Sequence, residues 1–487
     1  QFGCSGTSFG FVYGRLLVDT TTCLRVVVSL LDAMQHLDVI PPIPLDRLAK
    51  VFKAYDVRGL TPEELDEPMA RALGAAFAKF TQSDSVVVGR DMRPSGEGLT
   101  MAFSEGVTSQ GADVTDIGLA STDLLYFASG YLNAPAVMLT ASHNPASYNG
   151  MKFCRPLARA IGADTGLDQI RQLASQPARP VDEAGAVQPL DLLQEFVRHV
   201  HSFIDTDLLK PLKVVADTAN GMGGLVLPAA FETLPFELEI LYEELDGSFP
   251  NHPADPLQPE NLADLRQRVI ESGADVGLAF DGDADRVFLV DERAVPITGS
   301  TTTALVASAT LEREGPGPIL HNLICSRATV EAIQRSGGDP IRTRVGHSYI
   351  KALMAETGAM FGGEHSGHYY FARNYGADSG LIAALIVLER LSLDGGPLSS
   401  MLIPFQRYSQ SGEINVQVED TDLAITKVAD FFANWHQDHL DGLTVDCDEW
   451  WFNIRPSNTE PLLRLNVEGP DESEVAKRVE EILSLIH

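Results

Sequence analysis

The sequence predicts an α/β protein built from three similar α/β domains with mixed sheets, followed by a C-terminal α+β domain. Three observations carry this. A strand-then-helix rhythm begins after residue 47. It restarts at Leu212-Lys213-Val214-Val215-Ala216-Asp217 and again at Pro318-Ile319-Leu320. The final stretch, from about residue 410, abandons it for alternating polar and apolar positions. With 487 residues the chain is too long for one hydrophobic core, and blocks of roughly 100 to 145 residues match ordinary domain sizes.

In chain order, Ser85-Val86-Val87-Val88-Gly89 reads as a strand, residues 99–110 as a helix and Ala136 to Thr140 as the next strand. In the second block the strand ending at Asp217 gives way to Asn220-Gly221-Met222-Gly223-Gly224 and then a helix. The third block carries helices over 327–335 and 347–356. In the last block Glu413-Ile414-Asn415-Val416-Gln417-Val418 alternates, and strands 450–454 and 462–467 flank a loop. A terminal helix then aligns Val475, Val479, Ile482, Leu483 and Ile486 on one face. This pattern predicts an antiparallel sheet with two helices. The expected divisions are 47–192, 193–295, 296–409 and 410–487.

Residues 1–46 differ from the rest. They open on Gln1, and Asp32 cuts the apolar run that ends in Leu30-Leu31. A secretory signal would need a basic start, an apolar core and a small-residue cleavage site. The expectation is a non-native or disordered extension, with an ordered accessory segment as the alternative. The five cysteines lack Cys-x-x-Cys spacing, which argues against a disulfide framework or a zinc site and for a reducing cytoplasm. No uninterrupted apolar run reaches the roughly 18 residues of a membrane span.

Lys and Arg total 36 against 67 Asp and Glu, a formal charge of −31. Such a surface repels nucleic acid and anionic membrane. It repels phosphorylated metabolites too, so a phosphate site requires a local basic island. Four polar loops, with basic residues near them in the sequence or on other segments, supply one.

Thr140-Ala141-Ser142-His143-Asn144-Pro145 puts a hydroxyl nucleophile directly after an apolar strand, where open α/β sheets collect active sites. Asp281-Gly282-Asp283-Ala284-Asp285-Arg286 follows a second apolar strand. Its alternating carboxylates can converge on one hard divalent cation, which relieves their mutual repulsion; the plain alternative is a solvated acidic turn. Gly363-Glu364-His365-Ser366-Gly367-His368 offers a carboxylate and a hydroxyl two apart. On an extended segment they point to one side and suit vicinal sugar hydroxyls; His368 is as readily a structural histidine. Arg455-Pro456-Ser457-Asn458-Thr459-Glu460-Pro461 combines a guanidinium, hydroxyls, an amide and turn N–H groups into a phosphate cradle. Tyr55-Asp56-Val57-Arg58-Gly59 adds another guanidinium. Arg58, Lys152, Arg286, Arg344 and Arg455 make up the basic island, so the substrate is expected to carry phosphate.

Together, in this order, the loops resemble the α-D-phosphohexomutase superfamily from about residue 50 to 487. Tyr148-Asn149-Gly150 and the Gly-Glu-His-Ser-Gly-His loop are similar to its bacterial phosphomannomutase/phosphoglucomutase branch. The resemblance implies four domains around a central cleft and a hexose 1-phosphate/6-phosphate mutase working through a phosphoserine and a 1,6-bisphosphate. It implies Ser142 as phosphoryl carrier, and Asp281, Asp283 and Asp285 binding Mg²⁺ together with a Ser142 phosphoryl oxygen. His143, Lys152, Arg286 and His347 would surround the reacting oxygen, with Arg58 beside them. Glu364 and Ser366 would grip the sugar, with Tyr55, Arg344 and His368 near it, and Arg455, Ser457, Asn458 and Thr459 would hold the non-transferring phosphate. One departure stands out: many members of the family carry Lys before a Cys-Ser or Cys-Thr pair where this chain has Ile324, and Arg344 or His347 is the candidate to cover that role.

Mannose is the expected sugar, with glucose accepted. Phosphoglucomutase or phosphoglucosamine mutase are the alternatives within the family; an Asp-x-Asp glycosyltransferase or an inert binding scaffold are those outside it. The implied cofactors are Mg²⁺ and a hexose 1,6-bisphosphate activator. The expected partners are phosphorylated hexoses, with no nucleic acid or membrane, and the chain acting as a monomer or homodimer.

Overall fold

The structure, a computed structural model, describes residues 39–457 and 462–486. Most of the segment expected to be an extension, residues 1–38, lies outside the described residues. Residues 39–46 are packed against the first unit. Ile40 exchanges two backbone hydrogen bonds with Ala178 (2.8 and 3.0 Å) and the Ile43 N–H donates to Ala174 O at 3.0 Å. Both isoleucines are buried in the cluster that holds Leu48 and Val51 of helix Leu45–Val51. Apolar side chains, rather than any motif, tie this stretch down, so the first core begins before residue 47.

The first sheet runs in the order Val57–Leu60, Tyr148–Arg155, Ala136–Leu139, Ser85–Arg90, Asp113–Leu119, Val187–Pro189, with Arg159–Ala160 paired to Tyr148–Arg155. Ser85–Arg90 is parallel to Ala136–Leu139 and Asp113–Leu119, whereas Tyr148–Arg155 runs antiparallel. All four residues of Ala136–Leu139 are buried, as an apolar strand covered on both faces must be. The following helix begins at Gly96 rather than residue 99, because its polar first turn hides from an apolar-periodicity reading. It crosses helix Glu67–Thr81 through glycine: a Cβ on Gly74 would lie 2.0 Å from Phe103 O, and one on Gly106 2.0 Å from Arg71 O.

The second and third sheets repeat the theme with five strands each. One reads Pro296–Ile297, Val287–Asp291, Val276–Phe280, Lys213–Asp217, Glu237–Leu241; the other Asp339–Thr343, Pro318–Asn322, Phe361–Gly363, Tyr369–Phe371, Ala377–Asp378. Both mix parallel and antiparallel pairs. Helix Gly380–Asp394 is buried along most of its length, and its residues join one continuous core with residues of the first three sheets.

The fourth sheet, Ser409–Gln417, Leu462–Gly469, Trp450–Pro456, Leu443–Cys447, His436–Asp438, is antiparallel throughout. Helices Thr421–Phe431 and Glu472–Ile486 complete the expected α+β unit. Val475, Ile482 and Ile486 are buried in its separate core, with Val479 and Leu483 packed beside them. Among the described residues, no helix is long and apolar enough to cross a membrane.

Candidate active site

Beyond strand Ala136–Leu139 the chain turns at Ser142, whose φ of 48° lies in the left-handed region that a β-carbon disfavours. Thr140 Oγ1 accepts the Ser142 N–H at 2.9 Å. The turn aims Ser142 Oγ at Asp281 Oδ2, 2.7 Å away, with His143 Nδ1 at 3.3 Å. From the opposite loop, Gly282 backs onto the same turn: a Cβ there would stand 2.5 Å from Ser142 O.

The three aspartates follow the fully buried strand Val276–Phe280 and are 0, 0 and 1% exposed, so the loop is no solvated turn. Lys152 Nζ lies 2.7 Å from Oδ2 of both Asp283 and Asp285. Thr122 Oγ1 donates to Asp283 Oδ2 at 2.6 Å, and Arg286 Nε donates to Asp281 Oδ2 at 2.9 Å. Asp283 Oδ1 and Asp285 Oδ1 remain buried without a hydrogen-bond partner, a costly state for an anionic oxygen. One ligand oxygen from each aspartate lies within 4.8 Å of the others. An all-oxygen, anionic donor set with free buried lone pairs fits a hard divalent cation of the Mg²⁺ type.

The electrostatics follow from burial and charge. Burial raises the Asp283 carboxyl, but Lys152 overrides it and holds the group well below the usual range. Asp281 is pushed up to about 7 by burial, only partly opposed by Arg286. Burial works against the Lys152 charge, yet Asp283 and Asp285 more than offset it. His143 is kept well below its ordinary value by burial and then by Arg286 and Arg58. Since a guanidinium only donates, the 2.7 Å contact between Arg286 Nη2 and His143 Nδ1 makes that nitrogen the acceptor and leaves the ring neutral.

The loop 363–368 differs from the extended segment expected. Strand Phe361–Gly363 ends before Glu364, and residues 364–368 close a turn in which Glu364 N–H donates to His368 O at 3.0 Å. The glycine at 367, with φ of 85°, makes that turn accessible. Glu364 is buried, accepting from Tyr370 Oη at 2.5 Å and from Gly346 N at 3.3 Å, while Ser366 is half-buried on the turn. His368 Nδ1 lies 2.8 Å from Asp378 Oδ2, and the turn meets the aspartate loop through the Arg286–His368 backbone bridge.

Arg58 reaches the serine loop by donating to Asn144 Oδ1 at 2.7 Å. The Tyr55 ring stands edge-on to Tyr349 at 6.1 Å, and Arg344 stacks over that same Tyr349 at 4.4 Å. His347 heads helix His347–Thr357. Arg455, on strand Trp450–Pro456, does not touch the serine–aspartate cluster among the described residues; its Nη2 donates to Glu413 at 2.7 Å. Ser457 follows that strand, and Asn458 and Thr459 lie outside the described residues. Ile324 is buried with Leu323 and Trp451 in an apolar cluster, so no charge stands at the position of the relatives' lysine.

Several residues escaped sequence reasoning. Thr122 begins helix Thr122–Leu132 and touches the aspartate loop twice, its N–H donating to Asp283 O at 3.0 Å. Its neighbour Asp123, pushed up to about 7 by burial, accepts from Ser121 Oγ and, at 2.6 Å, from Ser379 Oγ of the third unit. Glu413 anchors both Arg455 and Arg464. Lys351 pairs with Asp378 at 2.8 Å. Arg93 gathers the carbonyls of the serine loop. The only sequence signal for Arg93 was a charged pair, Asp91 and Arg93, at the end of an apolar strand.

A strand-end serine, a buried tri-aspartate group and basic residues on neighbouring loops, in three mixed α/β units and a fourth α+β unit, define a phosphoryl-transfer enzyme. The comparisons name the family. Models of the phosphoglucomutase/phosphomannomutase α/β/α domains I, II and III match residues 49–178, 194–295 and 298–408, and that of the C-terminal domain matches 413–485. A protein of Xanthomonas campestris described as "Phosphohexose mutases" is 40% identical over 441 residues, covering 89% of this chain and 98% of that protein. An Escherichia coli phosphomannomutase is 39% identical, covering 89% and 98%. The crystal structure of a phosphoglucomutase/phosphomannomutase family protein from Burkholderia thailandensis superposes with a TM-score of 0.83 at 32% identity, over 90% of this chain and 97% of that one. The chain belongs to the phosphoglucomutase/phosphomannomutase family and is a hexose phosphate mutase.

Proposed function

We propose that this mutase interconverts the 1- and 6-phosphates of mannose and glucose, with Ser142 as the phosphoryl carrier. The observation that carries the reading is the 2.7 Å approach of Ser142 Oγ to Asp281, in a turn whose backbone leaves the hydroxyl next to the buried aspartates. Asp281, Asp283 and Asp285 are the proposed Mg²⁺ ligands, joined by an oxygen of the Ser142 phosphoryl group. When bound, the cation offsets charge on the phosphoryl oxygens, as is usual in phosphoryl transfer.

The chain's own residues do the rest by position and charge. Lys152 and Arg286 bring positive charge to the phosphoryl group, and neutral His143 presents Nδ1 beside the Ser142 oxygen. His347 and Arg58 complete the surroundings proposed for the reacting oxygen. Glu364 and Ser366 hold O3 and O4 of the sugar, with Tyr55, Arg344 and His368 near them. Arg455, Ser457, Asn458 and Thr459 hold the phosphate that is not in transit. A sugar hydroxyl oxygen bonds to phosphorus as the Ser142 Oγ–P bond breaks; the sugar hydroxyl gives up its proton and the departing Ser142 oxygen takes one up, leaving a 1,6-bisphosphate and the free serine hydroxyl. That intermediate turns over and returns its other phosphate to Ser142. We further infer activation by hexose 1,6-bisphosphate and a cytoplasmic monomer or homodimer.

The test is mass spectrometry of the peptide spanning residues 136–153 beside a coupled assay on mannose 1-phosphate and glucose 1-phosphate. Phosphate on Ser142 and turnover of both sugars are expected. An active chain never phosphorylated at Ser142 would refute the carrier assignment.

A further inference from the structure

The Ser142 turn is strained, yet its own side chain does not hold it there. The left-handed φ of 48° is one that a residue with a β-carbon disfavours, and such a conformation persists only where the surroundings impose it. Thr140 Oγ1 holds the Ser142 N–H, and one further side chain holds the carbonyls of the turn. Arg93, 2% exposed, follows strand Ser85–Arg90 and extends under the serine loop. Its Nη2 donates to Ser142 O at 2.8 Å and to Asn144 O at 2.7 Å. Its Nη1 donates to Pro145 O at 2.9 Å and Tyr148 O at 2.8 Å. Its Nε donates to Asp91 Oδ2 at 3.2 Å, and Asp91 Oδ1 accepts the Arg93 N–H at 3.1 Å.

All five guanidinium N–H groups are thus engaged, four of them by carbonyls of residues 142–148. No other side-chain type has this donor count in a planar fork. A lysine could supply the charge to Asp91, but three donors on a point charge cannot serve four carbonyls on one plane. The second unit closes the assembly from outside: Phe249 stacks on the guanidinium at 5.3 Å, and Gly247 packs so close that a Cβ would sit 2.6 Å from Arg93 Cα.

We propose that Arg93 is the positioning residue that fixes the Ser142 backbone and thereby aims Oγ in the transfer step. Its hydrogen bonds go to Asp91 and to backbone carbonyls, none to Ser142 Oγ. The inference rests on Ser142 being the phosphoryl carrier.

The test compares Arg93→Lys with wild type in steady-state turnover of glucose 1-phosphate, single-turnover loss of phosphate from phosphorylated enzyme, and melting temperature. A misaimed nucleophile predicts a fall in kcat of about 100-fold, matched in single turnover, with KM within about twofold. A melting point and KM near wild type with kcat within threefold would overturn the proposal, as would a loss carried by KM. Should Arg93→Lys not fold, Asp91→Asn decides. It loosens the Nε anchor and the contact of Asp91 with the Thr140 hydroxyl that holds the Ser142 N–H, so a kcat loss of about tenfold at unchanged KM is expected; unchanged kcat overturns. Phosphate on Ser142, read first by mass spectrometry in wild type, separates failure of this inference from failure of the carrier reading.

Discussion

Lys152 Nζ stands 2.7 Å from Asp283 Oδ2, across 131 residues of sequence and an interface between two sheets. The same ammonium is 2.7 Å from Asp285, so one cation from the first unit neutralises two buried anions from the second. Removing one partner of a buried ion pair costs about 3–5 kcal/mol. Lys152→Met should therefore lower the melting temperature markedly in EDTA. Mg²⁺ should recover more of it than in wild type, because the cation then faces two uncompensated carboxylates. Equal Mg²⁺ shifts in both proteins would contradict this.

Ser142→Ala removes the proposed carrier and leaves the turn intact, since the contacts of Arg93 are to backbone carbonyls. Turnover should fall by roughly a thousandfold or more, as for loss of a covalent nucleophile, with little change in melting temperature. Wild-type turnover in the variant would end the assignment.

Glu364→Gln should impair glucose and mannose phosphates alike. The sugars differ at C2, whereas the proposed contacts are to O3 and O4. Galactose 1-phosphate, inverted at O4, leaves a buried polar group unpaired at about 1–3 kcal/mol, or roughly 5- to 150-fold in kcat/KM. Equal use of galactose, or a loss confined to mannose, contradicts the model.

The buried His321 donates from Nδ1 to Asn322 O at 3.0 Å. Burial lowers its pKa from 6.5 to about 4, with Arg342 adding to the effect. The folded state keeps the neutral ring while the unfolded chain protonates near 6.5. Stability is thus full above pH 6.5 and lost progressively as pH falls toward 4, by up to about 3 kcal/mol at 1.36 kcal/mol per pH unit. The fall in melting temperature over this window should be shallower in His321→Asn; an identical slope would rule His321 out as its source.

A chain beginning at Leu48 loses the burial of Ile40 and Ile43, worth about 1.5–3 kcal/mol for each side chain. Its melting temperature should sit several degrees below that of a chain beginning at Val39. Coincident unfolding curves would return these residues to the status of an appendage.

Most of the fold was legible because periodicity reports burial: Val276–Phe280 and Ala136–Leu139 are apolar at every position and fully buried. The loops were legible as motifs because serine, aspartate and arginine are rare in such density beside apolar strands. What the sequence hid was partnership across long separations. Nothing local marks Thr122 as a donor to Asp283, or Glu413 as the anchor of Arg455. The burial of the three aspartates was hidden for the same reason, since their compensating groups come from residues 122 and 152. The turn at 364–368 was misread as extended because its departure from the strand depends on Gly367, not on any change in hydrophobic pattern.

The close approach of Gly282 to the Ser142 carbonyl bears on how the two loops can change over generations. A side chain at 282 would meet a backbone atom that Arg93 already holds, so the displacement could not be absorbed without loosening that contact. An accepted substitution in one loop would have to arrive with a compensating one in the other. The two segments, 139 positions apart, are mutationally one unit: recombination that draws the serine loop from one ancestor and the aspartate loop from another should yield folded but slow enzymes unless Gly282 and Arg93 come along.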